Sequence, residues 1–191
     1  THGIEIGHVF YLGTTYSSVF NVRCTDSTGK NRLAEMGCYG IGVSRVMQAI
    51  VEASHDKFGP IWPFAIAPYR AIVINSFPSK DNRNSEEMQG VVQEVYDHSV
   101  KAYEALNRIP TFRGEVLYYD DMRARMSEKM RYAESVGIPY AIVIGNNFLK
   151  TGKYEVKNRK TGETLQLTPE ETTDFFTQVH EQFDQSFYYG F

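Results

Sequence analysis

Apolar positions follow two different spacings along this chain. Glu5 to Tyr16 and Val19 to Thr25 alternate between apolar and polar residues and predict strands, with Asp26-Ser27-Thr28-Gly29 as a turn between strands. Leu33 to Val43 predicts a further strand, broken by Gly37, Gly40 and Gly42. Ser44 is placed to cap a helix in which Val46, Met47, Ile50 and Val51 recur at helical spacing, ending before Gly59. Strands first and one helix last predict an antiparallel sheet backed by a helix.

Gly59 to Pro68 holds three of the seven prolines and the only tryptophan, Trp62. Proline removes a backbone donor and disfavours helix at the preceding residue, so this stretch predicts an extended connection. Beyond it, Ala71–Asn75, Glu115–Tyr119 and Tyr140–Ile144 are short strand-like runs. A helix from Ser85, as its cap, toward Leu106 and a second from Ser127 to Ser135 separate them. Strand–helix alternation of this kind predicts a mainly parallel sheet with helices outside. Tyr154–Asn158 and Thr164–Leu167, joined by Lys160-Thr161-Gly162, predict a hairpin, and Thr168-Pro169 opens a last helix. The expected fold class is therefore α/β, in two domains, 1–67 and 68–191.

Composition narrows the class. With 191 residues, 42% hydrophobic and 23% charged, the chain has globular proportions. Two cysteines, Cys24 and Cys38, exclude a disulfide scaffold, and the histidines show no metal-ligand spacing, so no zinc is expected. No run approaches about 18 apolar residues, so no membrane partner is expected. The chain opens Thr1-His2-Gly3 without a methionine or targeting segment, which suggests part of a longer polypeptide.

The net charge of -3 is unevenly spread. Six basic residues lie between Arg108 and Arg131, and five more between Lys150 and Lys160, whereas Glu163 to Asp184 carries six acids and no lysine or arginine. Such segregation can build a phosphate-binding face or simply two solvated faces.

The densest chemical signal is Glu35-Met36-Gly37-Cys38-Tyr39-Gly40-Ile41-Gly42-Val43-Ser44-Arg45. A glycine-rich strand lets a flat ring or a phosphate approach the backbone, and Arg45 at the helix junction can contact phosphate oxygens. The spacing is neither that of a P-loop nor that of a dinucleotide fingerprint. On residues alone, close packing of strand on helix with a surface arginine is the commoner explanation of such a pattern.

This stretch resembles motif 3 of the class II aminoacyl-tRNA synthetases, and its wording is similar to that of the bacterial-type prolyl-tRNA synthetases. Gly7-His8-Val9-Phe10-Tyr11-Leu12-Gly13-Thr14-Thr15-Tyr16-Ser17 resembles the strand preceding motif 3 in that family. Ile61-Trp62-Pro63 with Ile66-Ala67-Pro68 resembles the exit toward its anticodon-binding domain, and Gly137-Ile138-Pro139 with Ile142-Val143-Ile144-Gly145 an element of that domain.

The resemblance implies the end of an antiparallel catalytic domain followed by an α/β anticodon-binding domain. It implies ATP-dependent activation of L-proline, with Mg2+ accompanying ATP, and transfer to proline tRNA. Arg45 would contact the γ-phosphate, Gly40 and Gly42 would give adenine room, and Glu5 and His8 would lie toward the ribose. Phe10, Gly37 and Cys38 would line the proline pocket. Catalysis would be positioning and charge stabilisation, without a Cys38 nucleophile. The intact enzyme would be a homodimer of the mitochondrial matrix or, alternatively, the bacterial cytoplasm.

Two departures from the family pattern stand out. Tyr11 replaces a frequent glutamine, as in the mitochondrial branch of animals. The usual Asp-Asp-Arg-x-x-Arg-x-Gly-x-Lys becomes Asp120-Asp121-Met122-Arg123-Ala124-Arg125-Met126-Ser127-Glu128-Lys129. Arg123, Arg125 and Lys129 are the tRNA-binding candidates, arginine and lysine being the usual partners of guanine edges. A non-catalytic tRNA-binding module derived from a synthetase is the alternative function, and retention of the glycines with Arg45 speaks against it.

Overall fold

The computed structural model describes residues 3–77 and 86–189. They form two compact units, one ending at Ala53 and one beginning at Ser54.

In the first unit, β1 (Gly7–Gly13) pairs antiparallel with β4 (Met36–Ile41). Between them lie α1 (Thr15–Phe20), β2 (Arg23–Thr25) and β3 (Asn31–Leu33), and α2 (Val43–Ala53) follows. The predicted strand from Val19 is corrected at its start. Gly13, at φ +55°, turns the chain out of β1, a helical turn runs to Phe20, and Asn21 stops it in the left-handed region at φ 50°. The long strand from Leu33 is two strands, because β3 pairs with β2 while β4 pairs with β1. The predicted turn is present: Asp26 Oδ1 accepts from the Thr28 and Lys30 amides at 2.8 and 3.0 Å, and Gly29 has φ +78°. Ser44 is not a cap, since α2 starts one residue earlier and the Val46 amide already bonds to Gly42 O.

The second unit holds one five-stranded sheet in the order β11-β10-β9-β7-β8. Its strands β7 (Ala71–Asn75), β8 (Val116–Tyr119) and β9 (Tyr140–Ile144) are parallel. The hairpin of β10 (Tyr154–Asn158) and β11 (Thr164–Leu167) continues the same sheet antiparallel, which makes the sheet mixed. Successive β7 residues point to opposite faces, and both faces are dry. Ala71 and Val73 join Val95, Leu106, Phe112 and Phe176 on the side of α3 (Glu86–Arg108) and α6 (Pro169–Tyr189). Ile72 and Ile74 join Ala133 and Ile138 on the side of α4 (Met126–Val136). The expected Ser85 cap lies outside the described residues. A short α5 (Asn146–Thr151), absent from the sequence reading, links β9 to β10.

The proline-rich connection is less extended than expected. β5 (His55–Asp56) and β6 (Gly59–Pro60) form a small ladder, and Phe64–Ile66 is a single 3-10 turn. Asp56 Oδ1 closes that ladder by accepting from the Phe58 and Gly59 amides at 2.8 and 3.2 Å. The segment packs within the second unit. The Trp62 indole donates to Val136 O at 2.8 Å, and a Cβ on Gly137 would lie 2.5 Å from Pro60 O.

Burial separates the two units. The second has a core of completely buried side chains, each contributing roughly 1.5–3 kcal/mol. In the first, Val9, Tyr11, Tyr39 and Ile41 are 66–79% exposed and share one face of the β1–β4 ladder. A two-stranded sheet is marginal without a third strand or a covering helix, so this unit has the character of part of a larger sheet.

Candidate functional site

The glycine strand comes first. Register pairs His8 with Gly40 and Phe10 with Cys38, so these four residues share one face. The His8 and Phe10 rings stack at 4.0 Å. A Cβ on Gly40 would meet nothing within 4 Å, which leaves open surface over the strand, whereas on Gly42 it would lie 3.3 Å from Arg45 Cβ. Arg45, in the first turn of α2, donates from Nη1 to Glu5 O at 3.3 Å, and His8 Nδ1 lies 3.7 Å from Glu5 Oε1. Glu5, His8, Gly40 and Arg45 are thus brought together, with Phe10 and Cys38 beside them.

Gly37 does not join that face. It pairs with Tyr11 on the opposite side, where its missing side chain admits the Tyr39 ring; a Cβ would lie 2.7 Å from the Tyr39 hydroxyl oxygen. Tyr11 also faces away from Phe10 and Cys38. The Glu35 carboxylate raises its pKa, first by its charge and then by accepting its hydrogen bond.

The three basic candidates of the second unit separate. Arg123 and Arg125 are exposed on the loop entering α4, where the Arg125 amide donates to Glu128 Oε2 at 3.0 Å and the Arg123 amide to Asp121 Oδ1 at 2.7 Å. Lys129, expected on the RNA surface, is buried at 1% exposure, and its ammonium turns inward onto Asn75 and Tyr119. The reason is helical phase: Lys129 falls on the face of α4 packed against the sheet.

A second site was not legible in the sequence. On the α4 side of the sheet, a cavity of about 260 Å³ opens over β9 and β10. Its apolar floor is Met130, Ala133, Ile138 and Ala141, and Phe58, Glu134, Lys157, Arg159 and Thr164 form the rim. Asp56 forms a bidentate pair with Arg159, both N–O distances being 2.6 Å. The Arg159 hydrogen bonds hold the Asp56 carboxyl well below the usual carboxylate range. Asp56, Glu134 and Lys157 are far apart in sequence, so only the basic cluster around Lys150–Lys160 hinted at this place.

Among the described residues, no three histidine, cysteine, aspartate or glutamate side chains converge to hold a metal ion. No described helix is long and apolar enough to cross a membrane.

Residues 78–178 match the family model described as the anticodon binding domain. The chain belongs to the anticodon-binding domain family. Outside that segment the likeness continues. The chain is 37% identical over 181 residues to the probable mitochondrial proline--tRNA ligase of Mus musculus, covering 94% of this chain and 36% of that protein. It is 39% identical over 178 residues to the proline--tRNA ligase of Desulfotalea psychrophila, covering 93% and 28%. The chain therefore spans about a third of the length of the curated relatives it matches. In fold, the Giardia lamblia prolyl-tRNA synthetase solved in complex with prolyl-adenylate aligns with a TM-score of 0.71 at 23% identity, over 88% of this chain and 32% of that one. The cavity above α4 lies inside the anticodon-binding domain segment at Glu134, Lys157 and Arg159, and takes its remaining wall from Asp56 and Phe58.

Proposed function

We propose that the chain is part of a proline--tRNA ligase, in which the second unit reads the anticodon of proline tRNA and the first helps build the site for ATP and proline. The observation that carries the first half is the cavity at Glu134 and Lys157. About 260 Å³ holds one nucleobase, and its rim sets a carboxylate and an ammonium beside an apolar floor. Guanine offers two N–H donors and one carbonyl acceptor on its pairing edge, which match Glu134 and Lys157, and Phe58 supplies an aromatic surface for stacking. Arg123 and Arg125, exposed near α4, are suited to phosphates.

In the first unit, Arg45 takes the γ-phosphate, the open strand at Gly40 receives the adenine, and Phe10 with Cys38 faces the pyrrolidine ring. Glu5 and His8 lie toward the ribose. A proline carboxylate oxygen attacks the α-phosphorus and pyrophosphate leaves with its bonding electrons, so the protein positions both reactants and offsets charge. Mg2+ entering with ATP would supply positive charge that offsets the phosphates. The intact enzyme is a homodimer, in the mitochondrial matrix or a bacterial cytoplasm.

The experiment is a titration of the chain with two RNA hairpins, one carrying adjacent guanines in its loop and one carrying adenines there. Tighter binding of the guanine hairpin by about tenfold is expected, and equal affinities would overturn the anticodon reading. In the intact ligase, Arg45→Ala should abolish proline-dependent pyrophosphate exchange while sparing tRNA affinity; an unchanged exchange rate would remove Arg45 from the ATP site.

A further inference from the structure

Arg159 stands between two carboxylates but serves only one. Its Nη1 and Nη2 each donate to Asp56 at 2.6 Å, using both terminal nitrogens, and Nη2 also reaches Gly59 O at 3.4 Å. Glu134 borders the same cavity and its charge acts on the same guanidinium, yet it forms no ion pair with Arg159 among the described residues. Asp56 is itself fixed, because its Oδ1 closes the turn to Phe58 and Gly59. That turn is held against the end of α4 that carries Glu134: a Cβ on Gly59 would lie 2.7 Å from Glu134 O.

A guanidinium is a planar fork of donors that chelates whichever carboxylate it reaches. Were Asp56 absent, the nearest remaining anion on the cavity rim is Glu134. Pairing there would consume the lone pairs that a base's N–H groups need and would fill the cavity mouth with the arginine.

Resting on the base-reading pocket proposed above, we infer that Asp56 is a positioning residue that holds the Arg159 guanidinium away from Glu134 and so keeps that carboxylate available to a guanine edge. Asp56 acts through Arg159 and does not itself touch the base. The ion pair between β5 and the residue that follows β10 thereby sets base specificity as well as holding the segment in place.

The test uses the full 191-residue chain and the same pair of RNA hairpins. Asp56→Asn keeps an acceptor for the Phe58 and Gly59 amides but loses the charge that retains Arg159. It should lower the guanine-over-adenine affinity ratio by about tenfold while leaving adenine-hairpin affinity near that of the parent. Adding Arg159→Met, which keeps the aliphatic stem and removes the competing guanidinium, should restore the ratio. A merely structural pair would not give that rescue. An unchanged ratio in Asp56→Asn, or a double variant no better than the single, overturns the inference. A parent chain without guanine preference fails earlier, at the pocket reading itself.

Discussion

Lys129 Nζ lies 3.1 Å from the carbonyl oxygen of Asn75, tying α4 to the end of β7. The same ammonium donates to Asn75 Oδ1 and, at 3.3 Å, to Tyr119 O, between the rings of Phe77 and Tyr119. A buried cation is tolerated only when its donors are met, and here backbone and amide oxygens meet them.

Lys129→Met should therefore lower stability by about 1–3 kcal/mol, read as a shift in denaturant midpoint, because Asn75 and Tyr119 lose their donor. The salt dependence of RNA binding should stay as in the parent, since this ammonium is buried against Asn75 and Tyr119. A shallower salt slope would return Lys129 to the RNA surface.

Gly137 caps α4 with φ +79°, and a Cβ there would meet Pro60 O at 2.5 Å and Trp62 Cδ1 at 2.8 Å. Gly137→Ala combines left-handed strain with a backbone collision, so a loss of more than about 1 kcal/mol is expected in thermal unfolding. The Trp62 fluorescence should shift toward that of an exposed indole as its bond to Val136 O weakens. An unchanged midpoint would contradict the tight seating of the connection.

His98 Nδ1 lies 2.9 Å from the Tyr154 hydroxyl, and burial, followed by the Lys101 charge, lowers its pKa. The unfolded chain then takes the proton more readily, so stability should fall as pH drops below about 6.5 and be flat with respect to this group above it. His98→Gln should reduce that slope. Burial also pushes the Tyr154 phenol up to about 12, keeping it protonated as pH changes over this range.

Asp56 works in a separate window. Its lowered pKa means that the Arg159 pair contributes fully above about pH 4 and is lost as pH falls through the depressed value. Asp56→Asn should flatten the acid limb of the stability profile without altering the limb due to His98, as pH-resolved denaturation can check.

The sequence made the parallel strands legible because Ala71–Asn75 and Tyr140–Ile144 are short apolar runs with both faces buried. His8, Phe10, Cys38 and Gly40 were named through the motif resemblance; that they share one face follows from the pairing of β1 with β4, which neither strand shows by itself. Gly37 was grouped with Cys38 through the motif, although neighbouring residues of one strand point to opposite faces and Gly37 accordingly pairs with Tyr11 on the other side. Val19 and Phe20 read as strand because β-branched and aromatic residues favour one, while Gly13 and Asn21 set the local turn. Lys129 matched a motif, but its burial depends on which side of α4 meets the sheet. The cavity depends on Asp56, Glu134 and Lys157 meeting across long stretches of chain, for which no local pattern exists.

The proposed function turns on Glu134 reading a guanine edge in the second unit. The most direct measurement is the affinity of Glu134→Gln for the guanine and adenine hairpins across a range of salt concentrations. The guanine preference should fall by about tenfold while the salt slope of binding is unchanged, since a pairing-edge contact is lost and phosphate contacts are not. A Glu134→Gln chain that keeps the parent's guanine-to-adenine ratio would contradict it.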